Sequence, residues 1–463
     1  MKITRIGAAL LAGTSFAFGI ALAPGGTALF QALEIRSAAA QGTDQQQAYR
    51  LLALFADVLR QVRSDYVDPV SDRTLVENAL NGMLTGLDPH SAYMTEKQWH
   101  EMRTETSGQF GGVGLELTDN AGLIQVVSPI DGTPASRAGM KPGDLITSVN
   151  GKSVEGLSLD DAITAMRGPP NTVLHLIVKR QGVEDPIVLT LTRQMIHIET
   201  VKSRLIGGIG VIRISEFTEQ TDSGVHAALK SLRAEAGGRL DGLILDLRND
   251  PGGLLDQAIA VSNDFLDHGG IVSTRGRHPS DNESWSAKAG AAAVAPHLPV
   301  VVLTNNGTAS AAEIVAAALQ DDNRALVLGT RSFGKGSVQT LIPLNGNGAL
   351  RLTTARYYTP SGRSIQGLGI TPNVEVEETR TPQSHFGPEH ESDLRHILTN
   401  DGGSQAEAPP PPADLPAEAR NIQKLPPVGW PALDPEKPAT DYQLQQGLVL
   451  VRAMAAQVRA ASR

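Results

Sequence analysis

Two short segments carry the residue types that could do chemistry together. Ser310 stands in Gly307-Thr308-Ala309-Ser310-Ala311-Ala312-Glu313, between a strand-like and a helix-like run. Lys335 stands in Gly334-Lys335-Gly336-Ser337-Val338-Gln339, at the expected start of a strand. No histidine occurs from Leu298 to Ser384. A nucleophilic Ser310 would therefore need another base, and Lys335 is the natural candidate. A lysine is ordinarily protonated, but burial disfavours the charged form and lowers its pKa. A general base works best with a pKa near ambient pH. Residues four apart in a strand share a face, so Gln339 should point with Lys335. Its amide would then hold the lysine or the substrate.

Ser310-x-x-Glu313 ahead of an alanine-rich run is also a capping box, which is the plainer reading of that serine. A helix N-terminus nevertheless suits a nucleophile. The free N–H of Ala311 would face a developing oxyanion, and the helix dipole favours negative charge there. Asp246-Leu247-Arg248-Asn249-Asp250-Pro251-Gly252-Gly253 follows an apolar strand and precedes a helix. It reads either as a plain β-to-α loop or as the source of the second oxyanion donor, from Gly252 or Gly253.

Several motif matches fail on context. Gly329-x-x-x-x-Gly334-Lys335 places Gly336 where a P-loop needs Ser or Thr for magnesium, and a strand follows where a helix should. Ser332-Phe333-Gly334-Lys335 and Ser280-Asp281-Asn282 match β-lactamase motifs in inverted order, without a K-T-G. No metal site is expected, because neither HExxH nor a His/Asp/Glu cluster is visible in the sequence.

The positioning elements follow from periodicity. Leu51, Leu52, Leu54, Phe55, Val58 and Leu59 recur at helical spacing, and Tyr49 to Met102 reads as helical, broken at Asp68-Pro69 and ended by Asp88-Pro89-His90-Ser91. With no catalytic cluster, this region reads as a packing or association element. From Gly208 onward, strands alternate with helices, an α/β pattern. Strands are expected at Ile209 to Ile214, Gly242 to Leu247, Val300 to Leu303, Ala325 to Leu328 and Arg351 to Tyr358. Helices are expected at Gly224 to Glu235, Leu254 to Leu266 and Ala311 to Gln320. Ala408 to Lys437 is Pro-rich and reads as an extended linker. Asp441 to Ala461 reads as an amphipathic helix that must dock on the body or on a second copy.

The 463 residues suit about three domains. A net charge of -9 with no basic run argues against nucleic acid. Without cysteine there is no disulfide or thiolate chemistry. Lys2 and Arg5 precede an uncharged, mostly apolar run from Ile6 to Ala23, and Ser37-Ala38-Ala39-Ala40 offers a small-residue cleavage site. This pattern reads as an export signal, with an uncleaved inner-membrane anchor as the alternative. The expected location is the periplasm.

Taken together, these segments resemble the carboxyl-terminal processing proteases, the serine–lysine peptidases of the S41 tail-specific family. The likeness runs from about Leu54 to Val376. It includes Leu87-Asp88-Pro89-His90-Ser91, Phe110 to Gly114, Leu245 to Arg248 with Pro251-Gly252-Gly253, and both dyad segments. Tyr357 to Ile365 and Gly369-Ile370-Thr371-Pro372 belong to it as well. Two departures stand out: Asp250 where the loop commonly has Asn, and Asn373 where Asp is usual.

The resemblance implies a crotonase/ClpP-like α/β peptidase core with a PDZ domain and helical terminal elements, arranged as 1–40 signal or anchor, 41–106 helical, 107–195 PDZ, 196–378 peptidase, 379–440 linker and 441–463 helix. Ser310 becomes the nucleophile, Lys335 the base, Gln339 the orienting residue, and Ala311 with Gly252 or Gly253 the oxyanion hole. No cofactor is implied. In the PDZ-like segment, N–H groups of Gly112, Val113, Gly114 and Leu115 would grip a terminal carboxylate while the peptide adds as a strand. Ala162, Ile163 or Met166 would floor the pocket, and Arg167 would couple its occupancy to the site. The implied partners are proteins with unstructured apolar C-termini. An adaptor and self-association through the terminal helices are further expectations. A PDZ scaffold with a silent core and a crotonase-like acyl-CoA enzyme are the rival readings.

Overall fold

A computed structural model describes residues 26–120, 122–380, 389–401, 415–435 and 437–461, with side chains from residue 45 onward. The expected n-region, Ile6 to Ala23 and the Pro409 to Pro412 tract lie outside these residues. The chain divides into Met1–Ala79 and Leu80–Arg463.

In the first unit, helix Gly26–Asp65 ends just before Asp68-Pro69. Ser71 Oγ accepts the Thr74 N–H as the next helix, Asp72–Thr85, begins. Leu51, Leu52, Leu54, Phe55 and Val58 are exposed.

The second unit opens on a departure from the helical expectation. Residues 88–91 form a hydrogen-bonded turn, and Ala92–Met94 is a strand paired antiparallel with Ala349 to Arg351. Helix Glu96–Ser107 follows, capped by Thr95 and ended by Gly108 at φ 64°.

Five main antiparallel strands then form one sheet in the order Leu115–Asn120, Leu123–Pro129, Leu145–Val149, Val173–Lys179, Ile187–Thr192. Helix Leu159–Met166 packs on it, capped by Ser158. Alternation places Ile124, Val126, Ile146, Leu174, Leu176 and Val178 in its core. Gln109–Gly112 pairs with Gln194–His197, closing the segment where the chain enters and leaves.

The peptidase-like segment is built on a six-stranded sheet. Its order is Val201–Ile206, Ile209–Ile214, Gly242–Asp246, Val300–Thr304, Leu326–Gly329, Val374–Glu375. The first pair is antiparallel and the rest are parallel. The central strands are apolar throughout because both faces are covered. Helices Thr221–Glu235, Leu255–Phe265 and Ala311–Asp321 cover one face. Helix Tyr442–Ala461 covers the other through Leu444, Leu448 and Val451. The terminal helix thus docks on its own body.

A second, antiparallel sheet contains Ala92–Met94, Ala349–Tyr358, Gly270–Gly276 and Glu283–Ser286, with Ser337–Pro343 also paired to Ala349–Tyr358. Its Ile271, Val272 and Tyr357 join the helices' core. Helix Ala311–Asp321 is therefore covered all round, which explains its alanine content.

The segment expected to be a polar linker is not extended where it is described. Glu391 is buried, Ala419 packs into the core beneath the terminal helix, and Trp430 meets Tyr442 edge-on at 5.0 Å. These pieces dock one residue at a time, so they leave no periodic pattern for sequence reading to detect.

Candidate active site

Ser310 ends the loop after strand Val300–Thr304. Thr308 Oγ1 donates to the Leu247 carbonyl at 2.8 Å, and Ala309 N–H donates to the Asp250 carbonyl at 2.9 Å. Asn249 N–H is accepted by Asn305 Oδ1 at 2.9 Å. These bonds lock the serine loop to the Asp246–Gly253 loop. Ser310 itself has φ 53° and ψ −116°. For a residue with a Cβ, such a conformation costs about 1–3 kcal/mol and persists only where its surroundings enforce it.

Glu313, one turn into the helix, binds both the Ser310 and the Lys335 segments. It is fully buried. Its Oε2 accepts the N–H groups of Ser310 and Lys335, each at 2.9 Å. Its Oε1 accepts the Gly334 N–H at 2.7 Å and the Ser332 hydroxyl. The capping-box reading and the catalytic reading of this segment are thus compatible: the capping carboxylate also fixes the lysine's backbone. Burial pushes Glu313 up to about 7 against the pull of these donors.

Lys335 lies just before strand Ser337–Pro343. Its neighbours are glycines for a steric reason. A Cβ on Gly336 would fall 2.7 Å from the Gln366 backbone nitrogen, and Gly334 has φ 98°. Desolvation lowers the Lys335 pKa, and Arg351 lowers it further, while Glu391, Glu313 and Asp88 oppose. Tyr357 donates its hydroxyl to the Lys335 carbonyl and also engages the Ser310 side chain. No hydrogen bond joins Ser310 Oγ to Lys335 Nζ among the described residues.

Gln339 takes another role from the one its spacing suggests. Its amide donates to Ser337 Oγ at 2.9 Å and to Thr353 Oγ1 at 3.3 Å. Lys335 precedes the strand. The four-residue alternation within a strand therefore does not reach it.

The Asp88–Ser91 turn, read from sequence as packing, reaches the same network. Asp88 accepts the N–H groups of His90 and Ser91, the Ser91 hydroxyl and the Thr353 hydroxyl. His90 Nε2 lies 2.9 Å from Glu391, which accepts from Gln366 at 3.0 Å. Gln366 in turn accepts the Gly336 N–H at 3.0 Å. Sequence reading missed this chain because its members lie hundreds of positions apart. The Asp-Pro-His-Ser run was its only local signal.

Opposite Ser310, Gly252 leaves room where a Cβ would meet Ser310 Cβ and Ala311 N at 2.7 Å. Its N–H is accepted by Asp250 Oδ1 at 2.8 Å. The N–H groups of Ala311 and Gly253 have no acceptor among the described residues. Asp246, Arg248 and Asp441 form a buried ion cluster behind this loop, with Arg248 Nη2 2.7 Å from each carboxylate. This fastens the terminal helix to the loop.

A cavity of about 590 Å³ borders the edge strand Leu115–Asn120 and helix Leu159–Met166. Gly112, Val113, Gly114, Leu115, Met166 and Arg167 all line it. Ile163 does too, whereas Ala162 belongs to the domain core. The Arg167 guanidinium stacks 4.7 Å over the Phe110 ring.

The fold also gathers a trio that sequence reading did not anticipate. Ligand atoms of Asp222, His226 and Asp264 lie within 4.8 Å of one another, and His226 pairs with Asp264 at 2.9 Å.

Comparison with known proteins finds matches over both the PDZ-like and the parallel-sheet segments. The model for peptidase family S41 matches residues 208–376, and a PDZ model matches 125–180. The "Activating protease CtpB N-terminal domain" model matches residues 12–98. A carboxy-terminal-processing protease of Bartonella bacilliformis is 49% identical over 381 residues, covering 80% of this chain and 87% of the relative. The carboxy-terminal processing protease CtpA of Bacillus subtilis is 39% identical over 319 residues, covering 68% of this chain and 67% of the relative. A solved photosystem II D1 C-terminal processing protease aligns at 29% identity and a TM-score of 0.41, covering 72% of this chain and 94% of that one.

Proposed function

Because this chain belongs to peptidase family S41 and is a serine peptidase of the carboxy-terminal-processing kind, we propose that it cleaves exported proteins with a Ser310–Lys335 dyad after its PDZ domain takes an apolar C-terminal tail. The observation that carries this reading is the Glu313 carboxylate, which binds the backbone of both Ser310 and Lys335.

Ser310 Oγ attacks the peptide carbonyl while Lys335 Nζ, whose pKa burial lowers, takes its proton in its deprotonated form. The carbonyl oxygen becomes an oxyanion against Ala311 N–H and a loop glycine N–H. Gly253 is the better donor, since Gly252 N–H is already spent on Asp250. Lys335 returns the proton to the leaving amine. Water then attacks the acyl-enzyme, giving its proton to Lys335, and Ser310 is regenerated. Gln339, through Thr353 and Ser337, steadies the strand beside the lysine. The core's parallel strand–helix repeats are consistent with a crotonase/ClpP-like ancestry.

At the PDZ groove the tail adds beside Leu115 to Leu117, with its carboxylate on the N–H groups of Gly112 to Leu115 and its last side chain against Ile163 and Met166. Arg167, stacked on Phe110 at the domain's closing strand, senses occupancy. The N-terminal sequence supports export to the periplasm, and the exposed Leu51–Val58 stripe supports self-association.

The test compares wild type with Ser310→Ala on an unfolded protein bearing an apolar C-terminal tail, with products read by mass spectrometry. Cleavage by wild type alone is expected. Equal cleavage by both, or none by either when the tail is bound, refutes the reading.

A further inference from the structure

Asp250 touches both walls of the site without touching the reacting atoms. Its carbonyl holds the Ala309 N–H at 2.9 Å, next to Ser310. Its Oδ1 holds the Gly252 N–H at 2.8 Å. The residue is fully buried, and its Oδ2 has no hydrogen-bond partner among the described residues. Nearby cations are committed elsewhere: Arg248 binds Asp246 and Asp441, and Arg213 lies 3.3 Å from Asp246. The charged groups that face Asp250 are Glu216 and Asp246, which disfavour its ionisation, and Arg213, which favours it.

An ionised carboxylate here would leave a charged oxygen buried and unpaired, at a high desolvation cost. It would also set negative charge beside the place where the oxyanion develops. A neutral acid avoids both. It keeps a carbonyl for Gly252 and carries its proton on Oδ2. Asparagine, the residue the family resemblance leads one to expect at this position, presents the same uncharged carbonyl.

We propose that Asp250 is a positioning residue held as a neutral carboxylic acid, and that losing its proton disables the oxyanion wall. This rests on the serine-peptidase reading above and adds a residue and an alkaline limit to it. Burial pushes this carboxyl up to about 8, and the neighbouring Glu216 adds to the effect.

The experiment measures kcat and KM from pH 6 to 9.5 for wild type, Asp250→Asn and Asp250→Ala, with melting temperatures measured from pH 5 to 9.5. Wild-type kcat should fall as pH rises through about 8, approaching tenfold per unit. Asp250→Asn should keep within about threefold of its neutral kcat at pH 9. Asp250→Ala should lose about tenfold or more in kcat at every pH, with KM within about twofold. The same alkaline fall in wild type and Asp250→Asn overturns the proposal.

Melting curves decide independently of catalysis. The carboxyl has an ordinary value of 3.8 and a folded value of about 8. Between these, the native state binds one more proton than the unfolded state, so this group's stabilisation is lost as pH rises through that window. Wild type should lose melting temperature relative to Asp250→Asn from pH 5 to 8. Parallel curves overturn the proposal even if nothing is cleaved. A declining difference without any wild-type cleavage counts against the peptidase reading alone. If Asp250→Ala does not fold, the Asn comparison carries the test.

Discussion

The two halves of the proposed dyad are built from opposite materials. Ser310 hangs from a parallel sheet whose Val300–Thr304 strand is buried throughout, at the start of a helix whose residues Ala311 to Gln320 are all buried. Lys335 precedes a strand of an antiparallel sheet whose residues from Gln339 to Pro343 are half-buried or exposed. The first half is fixed by packing, which is dense and stiff. The second is fixed by a polar chain running through Thr353, Asp88, His90, Glu391 and Gln366. Such a chain is strong when every member is satisfied and fails when one is removed. Removing one member of that chain should therefore displace Lys335 more than Ser310.

The largest effect should come from removing the base itself. Lys335→Ala is expected to lower kcat by about a thousandfold or more, with a melting temperature within a few degrees of wild type. Substantial retained turnover would remove Lys335 from the mechanism. Glu313→Ala breaks the seam between the halves and leaves four donors without an acceptor. It should destabilise by about 3 kcal/mol or more and lower kcat at least about a hundredfold, read by denaturant titration and kinetics. If only stability changed, Glu313 would be a cap and nothing else.

Asp88→Ala sharpens the comparison, because it touches only the lysine half. It should cost about 1–3 kcal/mol and slow acylation about tenfold. A covalent probe of Ser310 would show whether the nucleophile half is left in place. The smallest effect should come from the PDZ groove, where Met166→Ala should weaken binding of a tail peptide about five- to tenfold, measured by calorimetry. An unchanged affinity would move the tail away from this groove.

The pattern of legibility follows the same division. The strands at Ile209, Gly242, Val300 and Ala325, with their three helices, agree with expectation to within a few residues because a two-sided buried sheet writes long apolar runs. The Ser310 and Lys335 segments were legible because glycines and a cap surround them. What sequence could not show was how distant polar groups meet. Asp88, His90 and Glu391 carry no periodicity, and Lys335 lies ahead of the strand, so the alternation that aimed Gln339 at it does not reach it. The role of Leu245-Asp246-Leu247-Arg248 was likewise hidden, since two of the three side-chain partners of Arg248, Asp441 and Gln443, lie at the start of the terminal helix.

That last pairing has a consequence for how the molecule is made. Synthesis runs from the N-terminus, so Arg248 emerges almost two hundred residues before Asp441. Until then the cation has Asp246 but neither Asp441 nor Gln443 beside it, and the part of the sheet that Leu444, Leu448 and Val451 cover lacks them. The loop that carries Gly252 and Gly253 gains its backing only when the last helix arrives. A chain made only as far as Lys335 holds both Ser310 and Lys335 but not yet the Asp441 and Gln443 side chains that engage Arg248.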